Sequence, residues 1–417
     1  MNAVERIPIY LLTVALIVIE VITRVAGGPA PHQFLNPLNV HPDFTVAAIA
    51  GTLIAVRRAD LLPALLLGLA FEALRMMFLA WHHVSFGRSL TSTGVGFCCA
   101  FLMLTVLRAM RTRGAERWKA LDTAAIAFAL PATIPLLAFF LWLTTLFLPH
   151  AYDLNLYAFD ALLPVPAAQI LALSFFHYPS LEQVFWFVYH ALIGVLGIYI
   201  VLERKPDGQL GGHLMSRWLM AGCLGYILYF MLPAVGPEVV FGGVFPFNMP
   251  DPNHVSLSAL SPSGDYPRST IPSLHATWAF LIVLAARKMS LPARVGALMF
   301  MIATLISTLG LRQHYLIDLV VAVPFAVAIE GLASFSSAGS SNRWCATAAL
   351  GGMAMTLAWM LALRYGVEVF RAAPWLASTL VVCTLAASGW LISRQSAARL
   401  PLGSLTWRRR TGVVIPV

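Results

Sequence analysis

A succession of long apolar runs, broken by short polar segments, constrains this 417-residue chain more than any other feature. Twelve runs are legible, at about residues 7–26, 43–56, 61–81, 89–107, 121–148, 181–202, 218–232, 272–288, 293–311, 314–332, 344–364 and 374–392. About 20 apolar residues are what an α-helix needs to cross the hydrocarbon core of a bilayer. Composition agrees. The chain is 59% hydrophobic and 11% charged, whereas a soluble domain carries about 25% charged residues. The expected fold class is therefore all-α, a polytopic transmembrane helix bundle of about 12 spans. Residues 7–26 follow a barely basic leader, contain Glu20 and Arg24, and lack a small-residue cleavage end. They read as a retained first helix.

The net charge of +9 does not point to nucleic acid, because the basic residues lie in short clusters between apolar runs. With the N-terminus in the cytoplasm, 20 of the 27 Lys and Arg fall on the cytoplasmic side. The other seven, Arg24, Arg75, Arg88, Arg268, Arg312, Arg364 and Arg371, fall outside or near the outer end of a span. Both termini are then cytoplasmic, and the expected location is the inner (plasma) membrane of a bacterium. The five cysteines show no CxxC spacing. They read as small buried residues, with no disulfide frame, metal site or cofactor implied.

Two outer segments are long. Residues 149–180 mix aromatic and polar residues and suit an interfacial amphipathic helix, with Asp153 and Asp160 on its wet face or near a headgroup. Residues 233–271 are rich in Pro, Gly and Asn. Residues 333–343 read as a cytoplasmic linker. Three divisions follow: an accessory region at 1–120, a six-span core at 121–335, and two spans with a basic tail at 336–417. Glu72 with Arg75, and Glu20 with Arg24, read as pairs within one helix. His82 and His83 do not present two ligands on one helix face. Tyr226 and Tyr229 read as interface anchors near the substrate.

The chemistry concentrates in IPSLHATW at 271–278 and LRQHYLID at 311–318. Pro272 and Ser273 look like a helix start, which puts His275 in the first turn, where free backbone N–H groups attract an anion such as phosphate. Ser273 adds a hydroxyl. His314 and Asp318 are four apart and share a helix face. The carboxylate can hold one imidazole nitrogen protonated and leave the other as a nucleophile. The two histidines are separated by one inward and one outward span, so both belong to the outer face. One can attack phosphorus while the other protonates the leaving oxygen.

Pro-Ser-Leu-His followed by His-Tyr-x-x-Asp resembles the type 2 phosphatidic acid phosphatase superfamily, and more closely its inositol phosphorylceramide synthase (inositolphosphotransferase) branch. Sphingomyelin synthases share that arrangement. GYILYFMLPAVGPEVVF at 225–241 also resembles that branch. The resemblance implies a six-helix core, covering about half the chain, with the motifs opening its fourth and sixth helices. It implies His314 as nucleophile forming a phosphohistidine, Asp318 orienting it, and His275 as general acid, with no metal. The superfamily's upstream Lys-x6-Arg-Pro segment is absent. Thr308 stands where its phosphatases carry an arginine, and Leu274 replaces a usual glycine. Arg268 and Arg312 are the outer arginines nearest the histidines and are the candidate phosphate partners.

The leading expectation is a membrane lipid phosphotransferase. It would move a phospho-headgroup from a phospholipid donor to a lipid or polyol acceptor. A lipid phosphate or polyprenyl diphosphate phosphatase is the alternative, differing only in what attacks the phosphohistidine. A transporter or flippase is a third reading, which predicts two matching halves. No corresponding broken helices are evident in residues 1–200 and 210–417.

Overall fold

The computed structural model describes residues 3–29, 42–55, 61–82, 95–203, 213–262, 264–338 and 343–397. His83 and several of the counted basic residues, among them Arg57, Arg58, Arg204 and Lys205, lie outside the described residues. Each of the twelve apolar runs is helical over most of its described length. The N-terminal region supplies α1 (Ala3–Ala26), α2 (Pro42–Ala55), α3 (Leu61–Trp81) and α4 (Val95–Arg111). The long α5 (Gly114–Phe147) follows. Its 34 residues extend about 51 Å, well beyond a core of about 30 Å. Its first turns, carrying Glu116, Arg117 and Lys119, therefore project from the membrane.

After α5 come two short helices, α6 (Asp153–Asp160) and α7 (Ala167–His177), then α8 (Pro179–His190) and α9 (Leu192–Leu202), which meet at a 48° bend. Next are α10 (His213–Tyr229), a one-turn α11 (Pro237–Phe241), α12 (Leu274–Ala286), α13 (Leu291–Gly310) and α14 (Leu316–Ala338). The chain closes with α15 (Arg343–Tyr365), the short α16 (Val367–Ala372) and α17 (Pro374–Ala397). Among the described residues six helices are long and apolar enough to cross a membrane, and seven if the bent α8–α9 pair counts as one. Of the other runs, the first lies in the 24-residue α1 and the rest make helices of 17 residues or fewer. α12 is short because its N-terminal end gives way to the irregular 230–273 segment that forms the site.

The centre of the bundle is α14, packed by α12, α15 and α17, with α5, α9 and α10 closing the other side. Large apolar side chains such as Leu130, Leu196, Leu214, Ile282 and Phe325 fill the interior. Leu62, Leu65, Leu66 and Leu69 of α3, by contrast, are exposed along one face. Such a face is stable against acyl chains and not against water. Close packing of α2 on its neighbours needs small residues. A Cβ on Gly51 would stand 2.4 Å from the Ala127 carbonyl oxygen of α5, and one on Gly197 would stand 2.5 Å from Ala50.

Three expectations are corrected. The Asp153–Asp160 part of residues 149–180 presents no wet face. Asp153, Asn155, Leu156, Tyr157 and Phe159 of α6 are buried, because the Asn155 amide donates to the Leu363 and Arg364 carbonyls of α15 and draws the helix inward. The 333–343 linker is shorter than its composition suggests, since α14 continues to Ala338. Tyr226 and Tyr229 are buried between helices instead of anchoring the interface. The Glu72–Arg75 and Glu20–Arg24 pairs do form, at 2.7 and 2.6 Å.

Candidate functional site

The Pro-Ser-Leu-His segment begins α12 as its residue types dictate. Ser273 is the N-cap, with extended backbone and a side-chain oxygen that accepts from Ala276 N at 3.3 Å. Its carbonyl accepts from the Thr277 hydroxyl at 2.8 Å. His275 therefore occupies the first turn, where N–H groups still lack helical partners. Its ring stacks on Tyr189 with centroids 3.9 Å apart.

The second motif is built differently from a helix face. His314 precedes α14, in the connection after α13, and Asp318 lies in the first turn. Asp318 Oδ2 accepts from Tyr315 N at 2.8 Å and lies 3.3 Å from His314 Nδ1. The carboxylate thus caps the helix start and faces the imidazole at once. His314 Nε2 lies 3.3 Å from the Ser273 hydroxyl, which joins the two motifs directly. The Ser273 amide also donates to the Asp318 carbonyl at 3.3 Å.

Burial pushes His314 down to about 4, opposed by a hydrogen bond with the Thr270 backbone. The ring is therefore neutral at pH 7. With Nδ1–H assigned toward Asp318, Nε2 carries the lone pair. A buried neutral imidazole oriented by a carboxylate has the form of an activated nucleophile.

Two acidic residues of α6 hold this arrangement. Asp160 accepts from Leu316 N at 2.5 Å and Ile317 N at 2.9 Å, the orphan donors that open α14. Asp153 is fully buried and accepts from Gly236 N at 2.7 Å, Val235 N at 3.0 Å and the Tyr315 hydroxyl at 3.2 Å. Burial pushes Asp153 up to about 6, against the pull of those donors. Both act as internal clamps, which corrects the wet-face expectation. A trace of Asp160 was present in the sequence: LRQHYLID offers no Ser, Thr, Asn or Asp just before Leu316, so the α14 donors needed an acceptor from elsewhere.

His275 and His314 line one cavity of about 580 Å³. Its polar lining includes Tyr266, Ser269, Thr270, Gln313 and both histidines. Its apolar lining includes Ile134, Leu137, Leu141, Leu192, Ile193, Trp218 and Trp278. Tyr189 and His190, beside the α8–α9 bend, and the two α10 tyrosines complete it. The α8 residues carried no motif in the sequence and enter only through tertiary packing.

Neither candidate arginine lines this cavity. Arg312, with φ of 62°, pairs with Glu238 at 2.5 Å and Glu182 at 3.6 Å. Arg268 is buried and its guanidinium donates to the Tyr266 carbonyl. Both are engaged by neighbouring loop and helix groups and brace the connecting segments. The described residues contain no cluster of three or more metal-ligating side chains.

A family model described as the PAP2 superfamily matches residues 154–332. The match runs from α6 into α14 and includes Ser273, His275, His314 and Asp318. It supports an activity of phosphatase or phosphotransferase type in general. No curated protein and no solved structure matches the chain.

Proposed function

We propose that this protein is a lipid phosphotransferase acting on a phosphodiester through His314, with its site on the non-cytoplasmic side of the membrane. The observation that carries the reading is one cavity lined by both histidines, with no lysine or arginine among its described lining residues. A phosphomonoester bears about −1.5 to −2 charges at neutral pH. A protonated His275 supplies one positive charge, and the start of α12 supplies roughly half of one. That total suits the single charge of a phosphodiester and leaves a monoester undercompensated in a low-dielectric site.

In the proposed cycle a donor oxygen displaces the Ser273 hydroxyl from His314 Nε2. The Nε2 lone pair then attacks phosphorus. The bond from phosphorus to the donor's lipid oxygen breaks, and His275 delivers the proton to that oxygen. Asp318 stabilises the positive imidazole through Nδ1–H. An acceptor hydroxyl next gives its proton to His275 and attacks phosphorus, and the Nε2–P bond breaks. The headgroup-phosphate ends on a lipid or polyol, as in inositolphosphotransferase-like chemistry.

The side of the membrane rests on the distribution of Lys and Arg between loops. The test is headgroup transfer from a phospholipid donor in membranes carrying wild type or His314→Ala. The expected result is loss of transfer in the variant. Equal turnover would remove the proposal, and steady phosphate release from a monoester without acceptor would install a hydrolase in its place.

A further inference from the structure

We infer that Tyr189 is a positioning residue for His275: the face of its phenol ring fixes the plane of the imidazole, and so the direction in which His275 delivers its proton. The inference rests on the reading of His275 as proton donor to the leaving oxygen, and it names the group that aims that donor.

A histidine in the first turn of a helix is poorly aimed by its own backbone. Its second side-chain torsion is broad and roughly two-fold, so the ring plane is set by what packs against it. His314 has Asp318 on one ring nitrogen and Ser273 on the other. Around His275 the neighbouring rings are aromatic. Tyr189 lies over one face, with centroids 3.9 Å apart and planes 21° apart. Trp278, one turn further along α12, meets the imidazole edge-on at 6.2 Å and 66°. Trp278 is in turn held from α10, since its indole stacks on Trp218 with centroids 4.0 Å apart and its Nε1 donates to the Trp218 carbonyl at 3.1 Å. The imidazole is thus bounded by one ring that α8 supplies and one that α10 anchors.

Tyr189 is the penultimate residue of α8, just before the 48° bend into α9. Glu182 stands seven residues earlier, on the same helix face, and pairs with Arg312 at 3.6 Å. Arg312 is two residues before His314. One face of α8 therefore touches both motif segments, with Tyr189 on the proton donor and Glu182 beside the nucleophile's segment.

The chemistry gives this role a selective signature. In the first step the Nε2–P bond forms and the bond from phosphorus to the donor oxygen breaks. An alkoxide leaves readily only when it receives a proton, whereas 4-nitrophenolate leaves as a stable anion without one. A badly aimed His275 therefore slows the first kind of donor and spares the second. A tyrosine that only filled space would, when replaced, slow both alike.

The test uses purified full-length protein in nanodiscs without acceptor, so that single-turnover rates read the first step alone. The lipid donor is a mixture of phosphatidylinositol, phosphatidylglycerol and phosphatidylethanolamine, followed by diacylglycerol release. The activated donor is bis(4-nitrophenyl) phosphate, followed by the nitrophenolate burst. His275→Ala should slow the lipid donor by about 10²–10⁴. Tyr189→Met, which fills the space without a flat face, should slow it by about 10- to 100-fold. In both variants the loss should be confined to the lipid donor. Tyr189→Phe, which keeps the ring face, should stay close to wild type. A nuclear magnetic resonance measurement keeps the test decisive should Tyr189→Met fail to fold: a His275 ring proton should be shifted upfield by the Tyr189 ring in wild type and remain so in Tyr189→Phe.

No slowing or equal slowing of both donors by Tyr189→Met, a Tyr189→Phe variant that loses as much as Tyr189→Met, or a wild-type His275 ring without the upfield shift would overturn the inference. Should His275→Ala remain selective for the lipid donor in that case, the inference falls alone. Equal slowing of both donors by His275→Ala would remove the proton-donor reading and this inference with it.

Discussion

Replacement of Asp153 separates the two physical roles a buried carboxylate can have. Its oxygens accept from Val235 N, Gly236 N and the Tyr315 hydroxyl, and none of its surface is accessible. Asp153→Ala leaves three donors in a dry cavity at about 1–3 kcal/mol each, so a loss on the order of 3–9 kcal/mol is expected. Asp153→Asn keeps an acceptor for the two amides, and its NH2 can donate to the Tyr315 oxygen. Its cost should stay near about 1 kcal/mol.

The sign with pH follows from the raised folded value. Asp153 lies near 6 in the fold against an ordinary 3.8. Its stabilising contribution is full below the ordinary value and is lost as pH rises through about 6, a change on the order of 3 kcal/mol. Thermal denaturation in detergent between pH 4 and 8 is the assay. Wild type should weaken across that range through this group, Asp153→Asn should lack that component, and Asp153→Ala should be lowest throughout. Equal tolerance of Ala and Asn would refute the clamp, because it would mean the three donors do not depend on this side chain.

Three more expectations follow from the site. The acid limb of kcat/KM should fall near pH 4 and not near 6.5, since His314 is held neutral by burial and loses its lone pair only below its lowered value; a His314-dependent limb near 6.5 in the pH–rate profile would contradict this. Asp318→Asn should lower kcat by about 10²–10⁴ with little change in KM, because the amide can keep an oxygen toward Tyr315 N but no longer supplies the negative charge that holds Nδ1–H and stabilises the imidazolium; steady-state kinetics beside circular dichroism would separate this from unfolding. Gly236→Ala should lower both melting temperature and kcat, by about tenfold or more in rate, since φ is 92° and a Cβ would stand 2.5 Å from the Gln313 carbonyl oxygen next to His314; near-wild-type behaviour of the purified variant would show that the loop yields.

The helical class was legible because hydrophobicity acts along the chain. Each apolar run carries helix, 181–202 as the bent α8–α9 pair, and the extents of α3 and α13 agree closely with the runs that announced them. Ser273 was legible as a start because N-capping is local chemistry. The His314–Asp318 pair was visible by spacing, although its actual form is a cap and not a continuous helix face. Asp153 and Asp160 were misread because a short helix with alternating polar groups looks the same whether its polar side meets water or the backbone of another helix. Only the tertiary donors at Val235, Gly236, Leu316 and Ile317 decide between these. The partners of Arg268 and Arg312 were not legible for a related reason. Nearness in sequence to a histidine says nothing of which way a guanidinium turns, and Glu182 and Glu238 claim Arg312 from separate segments.

The proposed cycle carries phosphorus through a bond to His314 Nε2. The most direct measurement is mass spectrometry of full-length protein mixed with a phospholipid donor, without acceptor, and quenched at high pH, where a phosphoramidate survives. An adduct of headgroup-phosphate mass on the peptide containing His314, absent in His314→Ala and discharged on adding an alcohol, is the predicted result. An adduct on another residue, or full transfer by a protein that never acquires one, would contradict it.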